Sequence, residues 1–284
     1  MRSEPEGEFH TVDVSRITFP ARRTWLRTSD GVRIEANYQP CTAVPGTAAP
    51  GGGAVVVAHG FTGSVDRPAV RRAAAVLARR AAVISFSFRG HGRSGGRSTV
   101  GDREVLDLAA AVEWARALGH ERVATVGFSM GGSVALRHAA LYASGRGGRT
   151  EARSDAVAAV SAPARWYYRG TPSMRRVHWV VTRPLGRAVG RYGLGTRIHD
   201  RSWDPVPLSP VEAVPLIAPT PLLIVHGDRD PYFPLDHPRM LAAAGPAQLW
   251  LERGMGHAEN AADEPLLARL ADWLTDPRAA ADGS

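Results

Sequence analysis

Short apolar runs that alternate with helical segments constrain the fold of this chain more than any other feature. The runs are "AVVVA" (54–58), "AVISFSF" (82–88), "RVATV" (122–126), "DAVAAV" (155–160), "PLLIVHG" (221–227) and "AQLWLE" (247–252). Helical spacing fills most of the intervals, for example in "DREVLDLAAAVEWARAL" (102–118). β-Branched strands separated by helices are typical of a parallel sheet that is buried on both faces.

An antiparallel hairpin is predicted before the first of these strands. Two alternating runs in "TWLRTSDGVRIEANY" flank Asp30-Gly31, a pair that favours a tight turn. We therefore predict an α/β fold with a mostly parallel twisted sheet, an antiparallel N-terminal hairpin and helices on both faces.

The bulk composition predicts a cytoplasmic protein. The chain of 284 residues has a single cysteine, Cys41, so an internal disulfide is impossible, as is usual in reducing compartments. The opening "MRSEPEGEFHTVDV" lacks the apolar core of a secretory signal. No stretch approaches the roughly 18 apolar residues of a membrane span, although peripheral contact with a membrane stays open.

The positive charge of the chain is confined to one segment. All 35 basic residues are arginine, and residues 161–201 hold nine of them with one acid, Asp200. This segment carries the whole net charge of +8, so the rest of the chain is neutral overall. Nucleic acid is therefore not an expected partner. The RGG-like "SGRGGR" (144–149) is interpreted as a loop between a helix and a strand.

The stretch "VGFSMGG" (126–132) places Ser129 between Gly127 and Gly131, after one predicted strand and before a predicted helix. A sharp strand-to-helix turn exposes a serine hydroxyl and requires small neighbours, because the backbone is crowded there. The helix also begins at this point, so the N–H of Met130 is directed at the reacting centre. Ser129 is thus a candidate nucleophile.

A serine nucleophile needs a histidine base and an acid that orients the histidine. "GMGHAEN" supplies His257 after the last strand, and "VHGDRDPYFP" supplies two acids, Asp228 and Asp230, after the strand before it. On the residues alone, either acid fits. The order serine, acid, histidine along the chain matches that of a hydrolase triad.

No metal or cofactor is predicted. His226, Asp228 and Asp230 form a group of metal-ligating residue types, but we do not interpret it as a metal site. No dinucleotide-binding glycine motif follows a strand in the required place. His59 and Gly60 end a strand and are expected to shape the loop beside the site.

Four stretches together resemble the α/β-hydrolase superfamily, from about Thr24 to Leu274: "HGFTGS", "FRGHGRSGG", "GFSMGG" and "HGDRDPYFP…GMGHAE". The sequence is most similar to the lysophospholipase and monoglyceride-lipase-like serine hydrolases. This resemblance implies an α/β-hydrolase fold, Ser129 as nucleophile, Asp230 as acid and His257 as base. It also implies an oxyanion hole formed by the backbone N–H groups of Phe61 and Met130.

Residues 161–219 leave the sheet between two strands, and the resemblance implies an inserted cap there. Around it we expect an N-terminal extension (1–20), two parts of the core (21–160 and 220–276) and a tail (277–284). Two interpretations of this segment stay open. Its aromatic residues either pack as a structural cap with solvated arginines, or they roof an acyl pocket in which arginines attract an anionic substrate or lipid. The aromatic residues are Trp166, Tyr167, Tyr168, Trp179, Tyr192 and Trp203.

The expected function is hydrolysis of a small-molecule carboxylic ester, including lipid esters and thioesters, through an acyl-enzyme. Acyl transfer, cofactor-free peroxidation and C–C hydrolysis on the same triad are alternatives, as is a ligand-binding protein of low turnover. Epoxide and dehalogenase chemistry is disfavoured, because the matching enzymes have aspartate where this chain has Ser129.

Overall fold

The computed structural model describes residues 21–42, 53–143 and 150–276. The predicted N-terminal extension (1–20), the tail (277–284), the 144–149 loop and most of the 45–53 connection lie outside the described residues. The strands are β1 (Arg22–Arg27), β2 (Arg33–Gln39), β3 (Ala54–Ala58), β4 (Ala82–Phe86), β5 (Val123–Phe128), β6 (Ala156–Val160), β7 (Leu222–Gly227) and β8 (Gln248–Glu252). The helices are α1 (Pro68–Leu77), α2 (Glu104–Ala117), α3 (Met130–Leu141), α4 (Pro172–Thr182), α5 (Pro184–Gly193), α6 (Pro210–Ala213), α7 (Asp236–Ala243), α8 (Ala258–Ala261) and α9 (Glu264–Thr275).

All eight strands form one sheet in the order β1-β2-β4-β3-β5-β6-β7-β8. β2 runs antiparallel to both β1 and β4, and every other pairing is parallel. β3, β4, β5, β6 and β7 are buried at every position, because helices cover both faces. The predicted α/β architecture is confirmed.

Helices pack on the sheet as two layers with separate cores. On one face, Leu108 of α2 and Leu136 of α3 are fully buried against the sheet. On the other face, Leu77 of α1 and Leu270 of α9 do the same. Fully burying each such leucine stabilises the fold by about 1.5–3 kcal/mol. Packing against the sheet in these two layers holds in position the helices that begin or end at its carboxyl edge.

The connection between β1 and β2 is longer than the tight turn expected from Asp30-Gly31. Five residues, 28–32, separate the strands, and only Gly31 takes a positive φ, of 84°. The Thr28 hydroxyl accepts the Val32 N–H at 2.9 Å, so a side chain closes the turn. Threonine can satisfy a backbone donor in this way. The Asp30-Gly31 pair alone does not reveal this contact.

The chain between β6 and β7, which we call the β6–β7 segment (residues 161–221), holds α4, α5 and α6. α4 and α5 are separated by a break at Arg183, which has an extended backbone (φ −97°, ψ 140°) before Pro184. Proline disfavours the helical conformation in the residue before it, which ends α4 and lets α5 begin. No residue of α4 is fully buried, so this helix lies on the outside of the core.

Candidate active site

The candidate residues come together at the carboxyl edge of the parallel strands. Ser129 follows β5, Asp230 follows β7 and His257 follows β8. Because β5, β7 and β8 run in the same direction, their carboxyl ends lie at one edge of the sheet, where open α/β sheets bind ligands.

The backbone at Ser129 is strained. Its φ of 51° and ψ of −114° lie outside the regions that serine normally occupies. A non-glycine residue in such a conformation costs about 1–3 kcal/mol and persists only where the surrounding structure enforces it. Here the Ser129 N–H donates to the Val160 carbonyl at 2.8 Å, which ties the turn to β6.

Gly127 and Gly131 allow this turn, because neighbouring backbone leaves no room for a side chain. A Cβ atom on Gly127 would lie 2.1 Å from the Gly131 carbonyl oxygen. A Cβ atom on Gly131 would lie 2.2 Å from the Ala58 carbonyl oxygen, at the end of β3. Close approach of the backbone is thus the reason for both glycines.

Ser129, His257 and Asp230 form a continuous line of hydrogen bonds. Ser129 Oγ lies 2.8 Å from His257 Nε2, and His257 Nδ1 lies 2.7 Å from Asp230 Oδ2. A carboxylate can only accept, so Nδ1 carries the proton and Nε2 is left to accept from the hydroxyl. A serine held in this way can give its proton to the imidazole as it attacks a carbonyl carbon.

The Asp230 side chain is inaccessible to solvent and has several hydrogen-bond donors around it. The N–H groups of Tyr232 and Phe233 donate to its Oδ1 at 2.7 Å and 3.1 Å. Burial alone would raise the pKa of Asp230, but His257 and these two backbone donors outweigh burial and hold that pKa below its ordinary value. The acid therefore stays ionised while it orients the histidine.

The competing acid, Asp228, has a different role. Its Oδ1 accepts the Gly254 N–H at 2.6 Å and so ties the end of β7 to the turn after β8. It makes no contact with His257 among the hydrogen bonds of the described chain. Asp230, the acid that the family resemblance implies, is the one beside the histidine.

Phe61 and Met130 lie beside Ser129 on the wall of one cavity. Met130 is the first residue of α3, so its N–H has no intrahelical acceptor. Within the described ranges, no backbone carbonyl accepts the Phe61 N–H. Two amide donors are therefore available next to the serine.

His59 holds the loop that contains Gly60 and Phe61. The Phe88 N–H donates to His59 Nε2 at 3.1 Å, so Nδ1 carries the proton and donates to the Gly60 carbonyl at 2.7 Å. Burial and the nearby His91 lower the pKa of His59 to about 3, so the ring is neutral and makes both bonds. Both contacts of the His59 ring are with backbone atoms, at Phe88 and Gly60.

Glu259 was missed in the sequence. It is 5% exposed, and its Oε1 accepts the Gly60 N–H at 2.9 Å. Its only sequence signal is its place two residues after His257, in α8. The two partners are 199 positions apart, so no local pattern reveals the contact.

His226 and its neighbours do not form a metal site. His226 Nε2 donates to the Phe233 carbonyl at 2.8 Å, and this contact fixes the loop that carries Asp230. In the part of the chain that the structure describes, no group of three histidine, cysteine or carboxylate side chains could hold a metal ion.

A cavity of about 740 Å³ opens above Ser129. Ser129, Met130, Phe61 and His257 line it from the core. The β6–β7 segment supplies the facing wall, chiefly Trp166, Tyr167, Tyr168, Met174, Val177 and Trp203. The remaining two aromatics of the segment, Trp179 and Tyr192, do not line it and are exposed. An apolar group of substantial size fits between these walls.

Trp203 and Trp166 are fixed in place by polar contacts. Trp203 Nε1 donates to the Thr99 carbonyl at 2.7 Å, and Trp166 Nε1 donates to the Pro207 carbonyl at 3.0 Å. The two rings meet edge to face with centroids 5.1 Å apart. This pair gives one wall of the cavity a defined shape.

Several solved structures are similar to this chain. The esterase Pf2001 of Pyrococcus furiosus is 22% identical, with 90% of this chain and 92% of that chain covered and a TM-score of 0.65. The esterase domain of a Rhodothermus marinus protein is 19% identical, with 92% and 98% covered and a TM-score of 0.58. XC6422 of Xanthomonas campestris, described as an a/b serine hydrolase without lid, is 18% identical, with 91% and 94% covered and a TM-score of 0.55. These likenesses show a shared fold.

Curated protein sequences give no match to this chain. Among the described residues, no helix has the length and apolar character needed to cross a membrane. Residues 55–269 match the family described as "Alpha/beta hydrolase family", which is well over half of the chain. With the sheet order and the strained serine turn, this match leads to one conclusion: the chain belongs to the alpha/beta hydrolase family.

Proposed function

We propose that this protein is a serine hydrolase that cleaves a carboxylic ester through an acyl-enzyme intermediate. The observation that carries the proposal is the unbroken hydrogen-bonded line from Ser129 Oγ through His257 to Asp230. Family membership supports hydrolase chemistry, and the esterases among the similar structures favour an ester as the substrate.

In the first half-reaction, His257 Nε2 accepts the Ser129 proton while Oγ attacks the ester carbonyl carbon. Asp230 stabilises the resulting imidazolium through Nδ1–H, without itself taking the proton. The imidazolium then gives its proton to the departing alkoxide, and an acyl-serine remains. Water repeats the sequence with His257 as base, which releases the carboxylic acid and restores Ser129.

The carbonyl oxygen gains negative charge in each tetrahedral intermediate. The N–H groups of Phe61 and Met130 are the proposed oxyanion hole, because both amides lie beside Ser129 and have no competing acceptor in the described chain. Such a donor contributes on the order of 3 kcal/mol to the stabilisation of the transition state.

We further propose that residues 161–219 act as a cap on a core made of residues 21–160 and 220–276. The cavity wall built by α4 and by Trp166 and Trp203 supports this division and favours an apolar acyl group. We also propose that the protein is a lysophospholipase or monoglyceride-lipase-like enzyme and that it acts in the cytoplasm. Acyl transfer, cofactor-free peroxidation and C–C hydrolysis by the same residues are the alternatives to ester hydrolysis.

Turnover of p-nitrophenyl esters tests the proposal. The wild-type protein is expected to hydrolyse them, and Ser129→Ala or His257→Ala should each lower kcat by about 10⁴–10⁶-fold. Thermal melting of each variant checks that it is folded. Near-normal turnover by folded Ser129→Ala protein would refute the assignment of the nucleophile.

A further inference from the structure

Most arginines of the β6–β7 segment lack the ion pairs that several arginines of the core make in the described chain. In the core, Arg89 contacts Asp107 at 2.8 Å and Asp30 at 2.7 Å, and Arg80 contacts Asp272 at 2.6 Å. Of the nine arginines in residues 161–201, Arg165 alone has a carboxylate partner within the described chain, Asp236 at 3.3 Å. The segment that carries the excess positive charge therefore has few ion-pair partners among the described residues.

Four of the arginines without a carboxylate partner in the described chain line the cavity above Ser129, and one of them, Arg187, donates to the Thr182 carbonyl at 3.0 Å. The other three are Arg169, just before α4, Arg176 within α4, and Arg201, in the loop that leads to Trp203. None of the three guanidinium groups has a hydrogen-bond or ion-pair partner among the residues that the structure describes. An unpaired guanidinium beside a substrate cavity is suited to a carboxylate or phosphate, which it can bind through two donors.

Nearby acids do not neutralise this cluster. Among the described residues, Asp200 and Glu259 are the carboxylates that line the cavity. Glu259 accepts the Gly60 N–H, and Asp200 Oδ1 lies 3.8 Å from His199 Nδ1. Burial, with the positive charge of Arg169, lowers the pKa of His178, so this part of the cavity disfavours further positive charge.

Apolar and cationic surfaces meet in the same cavity. Met174 and Val177 of α4 and the Trp166–Trp203 pair give it apolar walls, and the three arginines lie around them. We propose that Arg169, Arg176 and Arg201 bind an anionic group, a carboxylate or phosphate, carried by the acyl ester whose carbonyl is attacked by Ser129. This inference rests on the proposed function and narrows its substrate class.

Two matched substrates test the inference. Mono-p-nitrophenyl adipate carries a free carboxylate at the far end of its acyl chain, and p-nitrophenyl methyl adipate has the same length without the charge. The wild-type protein should favour the anionic ester, and its kcat/KM for that ester should fall as salt rises from about 0.1 M to 1 M, where the Debye length shortens from about 10 Å to 3 Å. The neutral ester should respond little.

The triple variant Arg169→Gln/Arg176→Gln/Arg201→Gln should lower kcat/KM for the anionic ester by about tenfold, mainly through KM. Its kcat/KM for the neutral ester should stay within about twofold of wild type, since no apolar wall is altered. Arg191→Gln is the matched control, because Arg191 is exposed, lies against Tyr192 and does not line the cavity. If the triple variant is unstable, the single variant Arg176→Gln replaces it in the same measurement. A smaller effect in the same direction is then expected.

Each outcome separates the two proposals. Turnover of both esters with an unchanged preference in the Arg→Gln variants would refute the anion site and leave the hydrolase intact. Loss of binding to phosphatidylglycerol vesicles, without a change in ester preference, would assign the arginines to lipid headgroups and overturn the inference. If neither ester is hydrolysed and a fluorophosphonate does not label Ser129, the proposed function fails and the inference fails with it.

Discussion

Glu259 Oε1 accepts the N–H of Gly60 at 2.9 Å, and this bond joins α8 to the loop that presents the Phe61 amide. A Cβ atom added to Gly60 would lie 3.2 Å from Oε1 and 3.4 Å from the Cβ atom of Ser129. Gly60 therefore lies close to both the Glu259 carboxylate and the serine turn. Glu259 holds the Gly60 peptide without occupying the Phe61 donor.

We expect Glu259→Leu to lower kcat by about tenfold, because an unpaired buried amide costs about 1–3 kcal/mol and the loop would shift to recover a partner. Glu259→Gln keeps an acceptor oxygen and should retain activity within about threefold. Steady-state kinetics on p-nitrophenyl butyrate check this. Equal activity of the Leu variant and wild type would mean that the contact does not position the loop.

Gly131→Ala tests the close approach beneath Ser129. The added methyl would need to lie where the Ala58 carbonyl oxygen is, 2.2 Å away, so the strand-to-helix turn must open. Overpacking of this kind typically costs 1–3 kcal/mol or more. We expect a lower Tm and loss of fluorophosphonate labelling.

Gly193→Ala is the matched control for that substitution. Gly193 ends α5, its φ is not positive, and the nearest atom to an added Cβ is Val189 Cγ1 at 3.9 Å. Alanine is the better helix former, so Tm should not fall. Equal effects of the two substitutions would contradict the steric explanation.

Cavity shape predicts the acyl-length preference. Val177 lines the cavity, so Val177→Trp should fill part of it and lower kcat/KM for p-nitrophenyl decanoate at least about tenfold relative to the acetate. Val189→Trp is the control, because Val189 is exposed on α5 and does not line the cavity. The measurement is kcat/KM of both variants for p-nitrophenyl esters of increasing chain length. An unchanged length profile in Val177→Trp would show that the acyl group does not bind beside Val177.

Ionisation of Asp230 is expected to make the free energy of unfolding depend on pH in the acidic range. Because its pKa in the folded protein lies below the ordinary value of 3.8, the stabilisation from its ionised form is fully present above the unfolded-state pKa. It is lost as pH falls through the folded-state pKa. Asp230→Asn cannot ionise, so its free energy of unfolding should approach that of wild type as pH falls from about 5 to 3.

Urea denaturation at pH steps from 3 to 7 measures this difference. A constant gap between wild type and Asp230→Asn from about pH 5 to 3 would show that the carboxylate does not gain stability from its partners.

Much of the core could be predicted because its signals are local. All six later strand runs lie within two residues of β3–β8, since each is a short, largely apolar stretch bounded by turns. Ser129 lies at the predicted strand-to-helix junction, where the crowding of Gly127 and Gly131 leaves a visible glycine pattern. The predicted α/β-hydrolase fold is confirmed by the family match and the sheet order.

The remainder depends on contacts between distant parts of the chain. Without the family resemblance, which implies Asp230, the residues alone do not distinguish Asp228 from Asp230; the path of the loop after β7 brings Asp230 to His257. Glu259 meets Gly60 across 199 positions, and the Thr28 hydroxyl lengthens a turn that Asp30-Gly31 would close sooner. Local propensity carries no information on such pairings.

Mass-spectrometric mapping of a fluorophosphonate adduct on the full chain tests Ser129 as the nucleophile most directly. We expect one adduct, on the peptide that contains Ser129, formed rapidly by wild type, far more slowly by His257→Ala, and not at all by Ser129→Ala. Labelling of a different serine, or undiminished labelling of folded Ser129→Ala protein, would contradict Ser129 as the nucleophile.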